Sequence, residues 1–439
     1  MQRVAFLFPG QGSYVKGALS ALAELSPDTA AVFTTINEVG RSLGEPTVTA
    51  EILGDRPLEK LVVEEPTGLQ LAMFGISVAL FTELRGRGVE PHVLVGHSVG
   101  EIAALTCAGA FDLADGARVV HLRNRVLSKY GAAGVMAAVG ADAERVEALV
   151  RAVDDPRLVV ACHNAPRQTV VSGPAAAVGQ VVALATALGL WSRQLNAPQA
   201  YHSPVLIDAM EPLREALTDL RQRPLRHPVL SPVLGRPCRD DDDLVGLIVD
   251  HLRRPVLFME TVRFLHARNV TDFVECGARD ILTELVLDTV PNVRVLPCLT
   301  RRTGLRDELD RVAGVLTGES ADAGDHPAPA RTEVVVPAEE PQPGPAPREA
   351  WSSHPPDRPG VLAELRAIYA AALEYPLELV EADADLEADL GVDSLKQTTL
   401  LANTWQHFGL SPLPTDFRIS DFPTLDHIAD LVLSLRGGA

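Results

Sequence analysis

Two serines stand in settings that call for different chemistry. The first is Ser98 in "GHSVGE" (96–101), between the apolar run "HVLV" and the helical pattern "IAALTCAGA". Gly-x-Ser-x-Gly at a strand-to-helix junction is a nucleophile elbow. Its glycines allow the tight turn that lifts the serine out, and the helix N-terminus faces a developing oxyanion. A serine hydroxyl is a weak nucleophile and needs a base. The candidate is His202 in "QAYHSPV", at a polar junction; the other histidines read as structural. Asp112, Asp115 and Asp154 fall between Ser98 and His202, so the Ser–acid–His order of an α/β hydrolase stays open. The second serine is Ser394 in "LEADLGVDSLKQ". It follows an aspartate, opens a helical pattern and has no histidine near it. A helix N-cap is the plain reading; modification by another enzyme is the other.

Two further stretches bear on the first serine. "FPGQGS" (8–13) is a glycine turn directly after an apolar run; it is either a common structural turn or one that would bring the Gln11 N–H to an oxyanion. Arg123 sits in the mostly apolar "VVHLRNRVL". It is either a surface residue whose stem snorkels or a buried fork for a carboxylate, and spacing does not choose between them.

The elements that must position these residues alternate along 1–300. "RVAFLF", "PHVLVGH", "VTDFVECG" and "NVRVLPCL" read as short strands, with helices such as 67–86 and 112–129 between them. That pattern predicts an α/β domain with a mostly parallel sheet. Within it, 133–197 reads strand–helix–strand–strand–helix–strand with a turn at 165–167, a small ferredoxin-like insert. Residues 319–358 are rich in Pro, Ala and acid and read as a flexible linker. Residues 359–439 return to helical periodicity and read as an acidic four-helix bundle.

Composition removes several functions. A formal net charge of −19 speaks against a nucleic-acid or anionic-membrane partner. The five cysteines, at 107, 162, 238, 276 and 298, lack metal-ligand spacing. Their odd number fits a reduced, cytoplasmic setting, with no metal site and no disulfide framework. "MQRVAFLF" reads as a buried first strand rather than a signal peptide, and no uninterrupted apolar run approaches a membrane span.

Taken together, "FPGQGS", Gln70 in "TGLQLAMFGISVAL", "GHSVGE", Arg123, "GVMAAVG", "NAPRQTVVSG", "YHS" and "ECGARDILTEL" resemble one family. It is that of the malonyl-CoA:acyl-carrier-protein transacylases and the acyltransferase domains of polyketide synthases. The resemblance implies an α/β-hydrolase-like large subdomain carrying the ferredoxin-like one, together spanning 1–318. It implies that Ser98 is acylated and that His202 is its base, held by a backbone carbonyl at His251, where the family usually has Asn or Gln. It implies an oxyanion hole from the N–H groups of Gln11 and Val99. Arg123 would grip the free carboxylate of a malonyl group two-pronged, with Gln70 and Tyr201 lining the acyl site. Val99 after the nucleophile and an aromatic Tyr201 before the histidine are similar to malonyl-using members. Gln199, and Asn124 in place of the usual glycine after the arginine, depart from the pattern and leave the acyl group open.

"DLGVDSLKQ" resembles the phosphopantetheine site of acyl carrier proteins, with Ser394 the attachment residue for 4′-phosphopantetheine. A separate phosphopantetheinyl transferase is then implied, which accounts for the missing base. The expected reaction is a ping-pong transfer of malonyl from malonyl-CoA through Ser98 to a carrier thiol, on this chain or in trans. Ketosynthases or polyketide synthase modules are the implied partners. A flexible linker of about 40 residues spans about 35 Å on average, enough for loading within the chain. The alternatives are a transacylase moving another acyl group between carriers, a hydrolase that edits carriers, or a non-catalytic docking scaffold.

Overall fold

The stretch Val-Ala-Phe-Leu-Phe is apolar on both faces, and all five residues are buried in β1 (Val4–Phe8). A strand covered on both sides belongs in the middle of a parallel sheet. In the computed structural model, β1 pairs in parallel with β2 (Val93–Gly96), Phe8 opposite Gly96. The strands that follow are β3 (Val135–Val139), β4 (Val159–Ala165), β5 (Gln168–Gly173), β6 (Ser192–Gln194), β7 (Leu230–Ser231), β8 (Arg236–Pro237), β9 (Asp272–Ala278) and β10 (Arg294–Leu299). The first sheet has the order β10-β9-β1-β2, every pair parallel. The chain builds outward from β1 on both sides, so β1 is a switch point. The crevice beyond its carboxyl end is where such sheets bind ligands.

The structure describes residues 3–44 and 61–318, apart from 16, 63 and 301–303. Beyond 357 it describes 358–373, 380–383, 386, 400–401, 404–405, 407–408 and 424–437. The chain divides into two compact units, Met1–Gly324 and Asp325–Ala439. The expected linker lies outside the described residues except for Arg358, which already begins a helix.

The helix Pro66–Gly86 takes proline at its start, where no N–H is needed. By length and composition it is apolar enough to cross a membrane, which the sequence reading did not anticipate. Yet 78% of its most apolar 18-residue window is buried inside the unit, as in a core helix. Fourteen of its residues, Gln70 among them, are buried.

β3 to β6 form a second, antiparallel sheet in the order β4-β5-β3-β6. The helices Ala143–Val153 and Ala175–Ala187 join its strands. Val139, Val146, Val171, Val178 and Val181 give it a core of its own. One parallel bridge, Cys162 with Val256, ties it to the rest: Val256 N–H donates to Ala161 O and His163 N–H to Val256 O, each at 2.9 Å.

In the second unit the helices Arg358–Leu373 and Leu425–Gly437 enclose Val361, Leu365, Tyr369, Ile428 and Val432, joined by Leu400 and Trp405. Ser394 and the residues expected to begin the second carrier helix lie outside the described residues.

Candidate active site

β1 and β2 end side by side, and the turns that leave them form the floor of the site. His97 N–H donates to Phe8 O at 2.9 Å, binding the two turns together. The glycines here are required by crowding. A Cβ on Gly96 would lie 2.1 Å from Glu101 Cα, and one on Gly100 2.1 Å from Phe8 O. Ser98 itself has φ 55°, the left-handed region that side chains avoid. That strain is characteristic of residues held for function. Val99 then caps the helix Gly100–Cys107, whose first N–H groups have no partner within the helix.

Ser98 Oγ lies 2.7 Å from His202 Nε2. His202 Nδ1 lies 2.9 Å from Arg254 O. A carbonyl only accepts, so Nδ1 carries the proton and Nε2 presents its lone pair to the serine. His202 also has a left-handed backbone, φ 59°, and is buried. Burial pushes its pKa well below 6.5, and the neighbouring His251, Arg123 and His97 side chains push the same way. The imidazole is therefore neutral at physiological pH and able to take the serine proton.

The carbonyl that orients His202 belongs to Arg254, not to His251 as expected. His251 ends the helix Leu244–Asp250, and the turn after it carries Arg254 round to the imidazole. The His251 side chain points into the protein, its Nε2 2.9 Å from Glu101 Oε2, with both residues wholly buried. The contact is close, but it lies off the direction of a good hydrogen bond. Among the described residues no acid bonds to His202: Asp112 caps the helix Leu113–Tyr130 and pairs with Arg223, Asp115 lies in the first turn of that helix, and Asp154 ends another helix. None of these three aspartates supplies a third member to the Ser98–His202 pair.

The turn Pro9–Gln11 approaches the elbow so closely that a Cβ on Gly10 would sit 2.8 Å from His97 O. Ser13 Oγ donates to Gly10 O at 2.8 Å and holds the turn. The Gln11 side chain donates to Asn196 O at 3.2 Å, at the exit of the second sheet. The sequence reading missed how His97 is fixed. Its Nε2 donates to Asn164 Oδ1 at 2.8 Å, and Asn164 Nδ2 donates to Gln168 Oε1 at 2.9 Å. The signal was "NAPRQ", quoted for its family pattern without a role.

Arg123 is 1% exposed, so the surface alternative does not hold. Its guanidinium carbon stands 5.0 Å from the centre of the Tyr201 ring. Nη1 donates to Gln70 Oε1 at 3.2 Å, and Nε has no partner among the described residues. Burial lowers its pKa, partly offset by the Tyr201 hydroxyl. No carboxylate pairs with it in the salt bridges of the described residues. A buried cation without an anion is expensive, so this is a place prepared for one. Gln70, Tyr201, Arg123, His202 and Ser98 are thereby brought together.

Residues 5–316 match the acyl transferase domain family, and 363–432 match the phosphopantetheine attachment site family. The chain is 35% identical over 352 residues to the spectinabilin polyketide synthase system protein NorA of Streptomyces orinoci. That match covers 76% of this chain and 18% of the relative. The chain spans less than a fifth of the length of the curated relatives it matches. Among solved structures it resembles the acyltransferase domain from the second module of the salinomycin polyketide synthase. There the TM-score is 0.65 and the identity 32%, covering 72% of this chain and 74% of that one. It also resembles the malonyl-CoA:acyl carrier protein transacylase of Xanthomonas oryzae, with TM-score 0.64 and 30% identity. That match covers 71% of this chain and 99% of the other.

Proposed function

Because the chain belongs to the acyl transferase domain family and carries a phosphopantetheine attachment domain, we propose that it moves a malonyl group from malonyl-CoA to a carrier thiol in polyketide assembly. The observation that carries this reading is the neutral His202 on Ser98, with the buried, acid-free Arg123 nearby. In the first half-reaction Ser98 Oγ attacks the thioester carbon while His202 Nε2 takes its proton. The N–H groups of Gln11 and Val99 hold the oxyanion. The carbon–sulfur bond then breaks, and His202 returns the proton to the departing CoA sulfur. Arg123 binds the free carboxylate of the malonyl ester left on Ser98. In the second half-reaction His202 takes the acceptor thiol's proton, the sulfur attacks the ester carbon to form the malonyl thioester, and the ester bond to Ser98 breaks as His202 returns the proton to Ser98 Oγ.

We assign 1–318 to the acyltransferase, 319–358 to a linker and 359–439 to a four-helix carrier. The acyltransferase is read as an α/β-hydrolase-like part with a ferredoxin-like insert, a reading supported by the antiparallel sheet order β4-β5-β3-β6. Ser394 supplies the primary hydroxyl that a phosphodiester needs, beside Asp393 in "VDSL". Phosphopantetheine bound there offers a thiol as acyl acceptor. A phosphopantetheinyl transferase and a ketosynthase are the partners this requires. The test is to incubate the protein with malonyl-CoA and map the acylated peptide. Malonyl on Ser98, lost in Ser98→Ala, is the expected result; hydrolysis without a trapped or transferred acyl group would favour an editing hydrolase.

A further inference from the structure

The Arg123 side chain is held by a hydrogen-bonded set whose members all have one consistent direction. Gln70 Oε1 accepts two donors, Arg123 Nη1 at 3.2 Å and Asn124 Nδ2 at 3.0 Å. Asn124 Nδ2 also reaches Val120 O at 2.9 Å, one turn back on its own helix, so its amide nitrogen is fixed. Gln70 Nε2 consequently faces the other way and donates to the Tyr201 hydroxyl at 3.2 Å. Turning the Gln70 amide over would set its NH₂ against two donors, one of them charged. Without Asn124 only one donor would oppose that turn.

The consequence falls on Tyr201. Its oxygen accepts from Gln70, and the Arg123 guanidinium lies over its ring, the guanidinium carbon 5.0 Å from the ring centre. A phenol has one hydrogen to give. Among the described residues the Tyr201 hydroxyl donates to nothing, and the residue as a whole is buried, 6% exposed. Arg123 Nε is likewise buried and without a partner among the described residues. We propose that Asn124 is a specificity-determining positioning residue. It locks Gln70 so that Tyr201 turns its hydroxyl hydrogen, together with Arg123, toward the carboxylate of the incoming acyl group. The inference rests on the malonyl-type reading above and adds to it a donor that a phenylalanine could not provide. It also gives a role to Asn124, the residue that departs from the family's usual glycine.

The test compares Ser98 acylation by malonyl-CoA and by acetyl-CoA, which lacks the carboxylate, in the full chain. Tyr201→Phe keeps the ring and the packing. It is expected to raise KM for malonyl-CoA about 10- to 100-fold, the effect of a lost hydrogen bond to a charged group, with kcat little changed. Acetyl-CoA turnover should hardly move. Asn124→Ala is expected to shift KM the same way by about 3- to 10-fold, and the double variant should be no worse than Tyr201→Phe alone, because one residue acts through the other. Multiplying effects, or equal losses with both thioesters, overturn the inference. Wild-type protein acylated by malonyl-CoA but indifferent to Tyr201→Phe overturns it while leaving the malonyl reading standing. Wild-type protein that takes no malonyl group overturns both.

Discussion

Replacing Arg123 by methionine separates ligand binding from folding. The guanidinium is buried, has no acid beside it, and keeps its Nε without a partner among the described residues. In the empty protein it therefore contributes a desolvation cost with only a neutral amide and the face of the Tyr201 ring in return. Methionine has similar length and no charge, so Arg123→Met should leave the melting temperature unchanged or raise it. With malonyl bound, the same guanidinium is expected to form two charge-assisted hydrogen bonds, each contributing about 1.5–3 kcal/mol. Losing both costs about 3–6 kcal/mol, or about 10²- to 10⁴-fold in kcat/KM for malonyl-CoA at about 1.4 kcal/mol per decade. Acetyl-CoA makes neither bond, and its kcat/KM should be unchanged or improved. The assay is donor-dependent acylation of Ser98 followed by mass spectrometry, with thermal unfolding alongside. Malonyl-CoA use within tenfold of wild type, or a clear loss of stability with both donors falling together, would refute the reasoning and return Arg123 to a packing role.

Other perturbations have equally definite outcomes. Because burial holds the His202 pKa well below 6.5, the acylation rate should stay flat as pH falls through 6.5. It should drop only where the folded-state imidazole finally takes a proton and can no longer act as a base; a half-point near 6.5 in the pH–rate profile would contradict this. Gly96→Ala places a Cβ 2.1 Å from Glu101 Cα, so the elbow cannot close; the variant should melt earlier and show no acylated Ser98. Glu275→Ala strips the acceptor from the N–H groups of Leu282 and Thr283 and from Thr283 Oγ1. Three buried donors left unpaired cost about 1–3 kcal/mol each, and the midpoint of a urea titration should fall accordingly.

The chemistry was legible in the sequence where local pattern dictates local geometry. The run 4–8 had to be a buried strand, and "GHSVGE" after "HVLV" had to be a tight turn into a helix. The pairing of Ser98 with His202 depends on two turns separated by 104 residues, and order along the chain left three aspartates in contention. The carbonyl of Arg254 could not be found this way, because every residue has a carbonyl and only the path of the turn after His251 selects one. Arg123 on a mostly apolar helix read equally well as exposed or buried. Its burial follows from packing against Gln70 on the helix Pro66–Gly86 and Tyr201, contacts that no periodicity encodes. That same helix was legible as a helix over 67–86, but its nearly complete burial was not, because polar residues such as Gln70, Ser77 and Glu83 are buried with the apolar ones.

The most direct measurement is an intact-protein mass spectrum of the phosphopantetheinylated protein after brief exposure to malonyl-CoA, beside its Ser98→Ala and Ser394→Ala variants. The prediction is malonyl on both serine sites in the wild type, on Ser98 alone in Ser394→Ala, and on neither in Ser98→Ala. Malonyl appearing on the carrier when Ser98 is absent, or never appearing on Ser98 at all, would contradict transfer through the elbow serine.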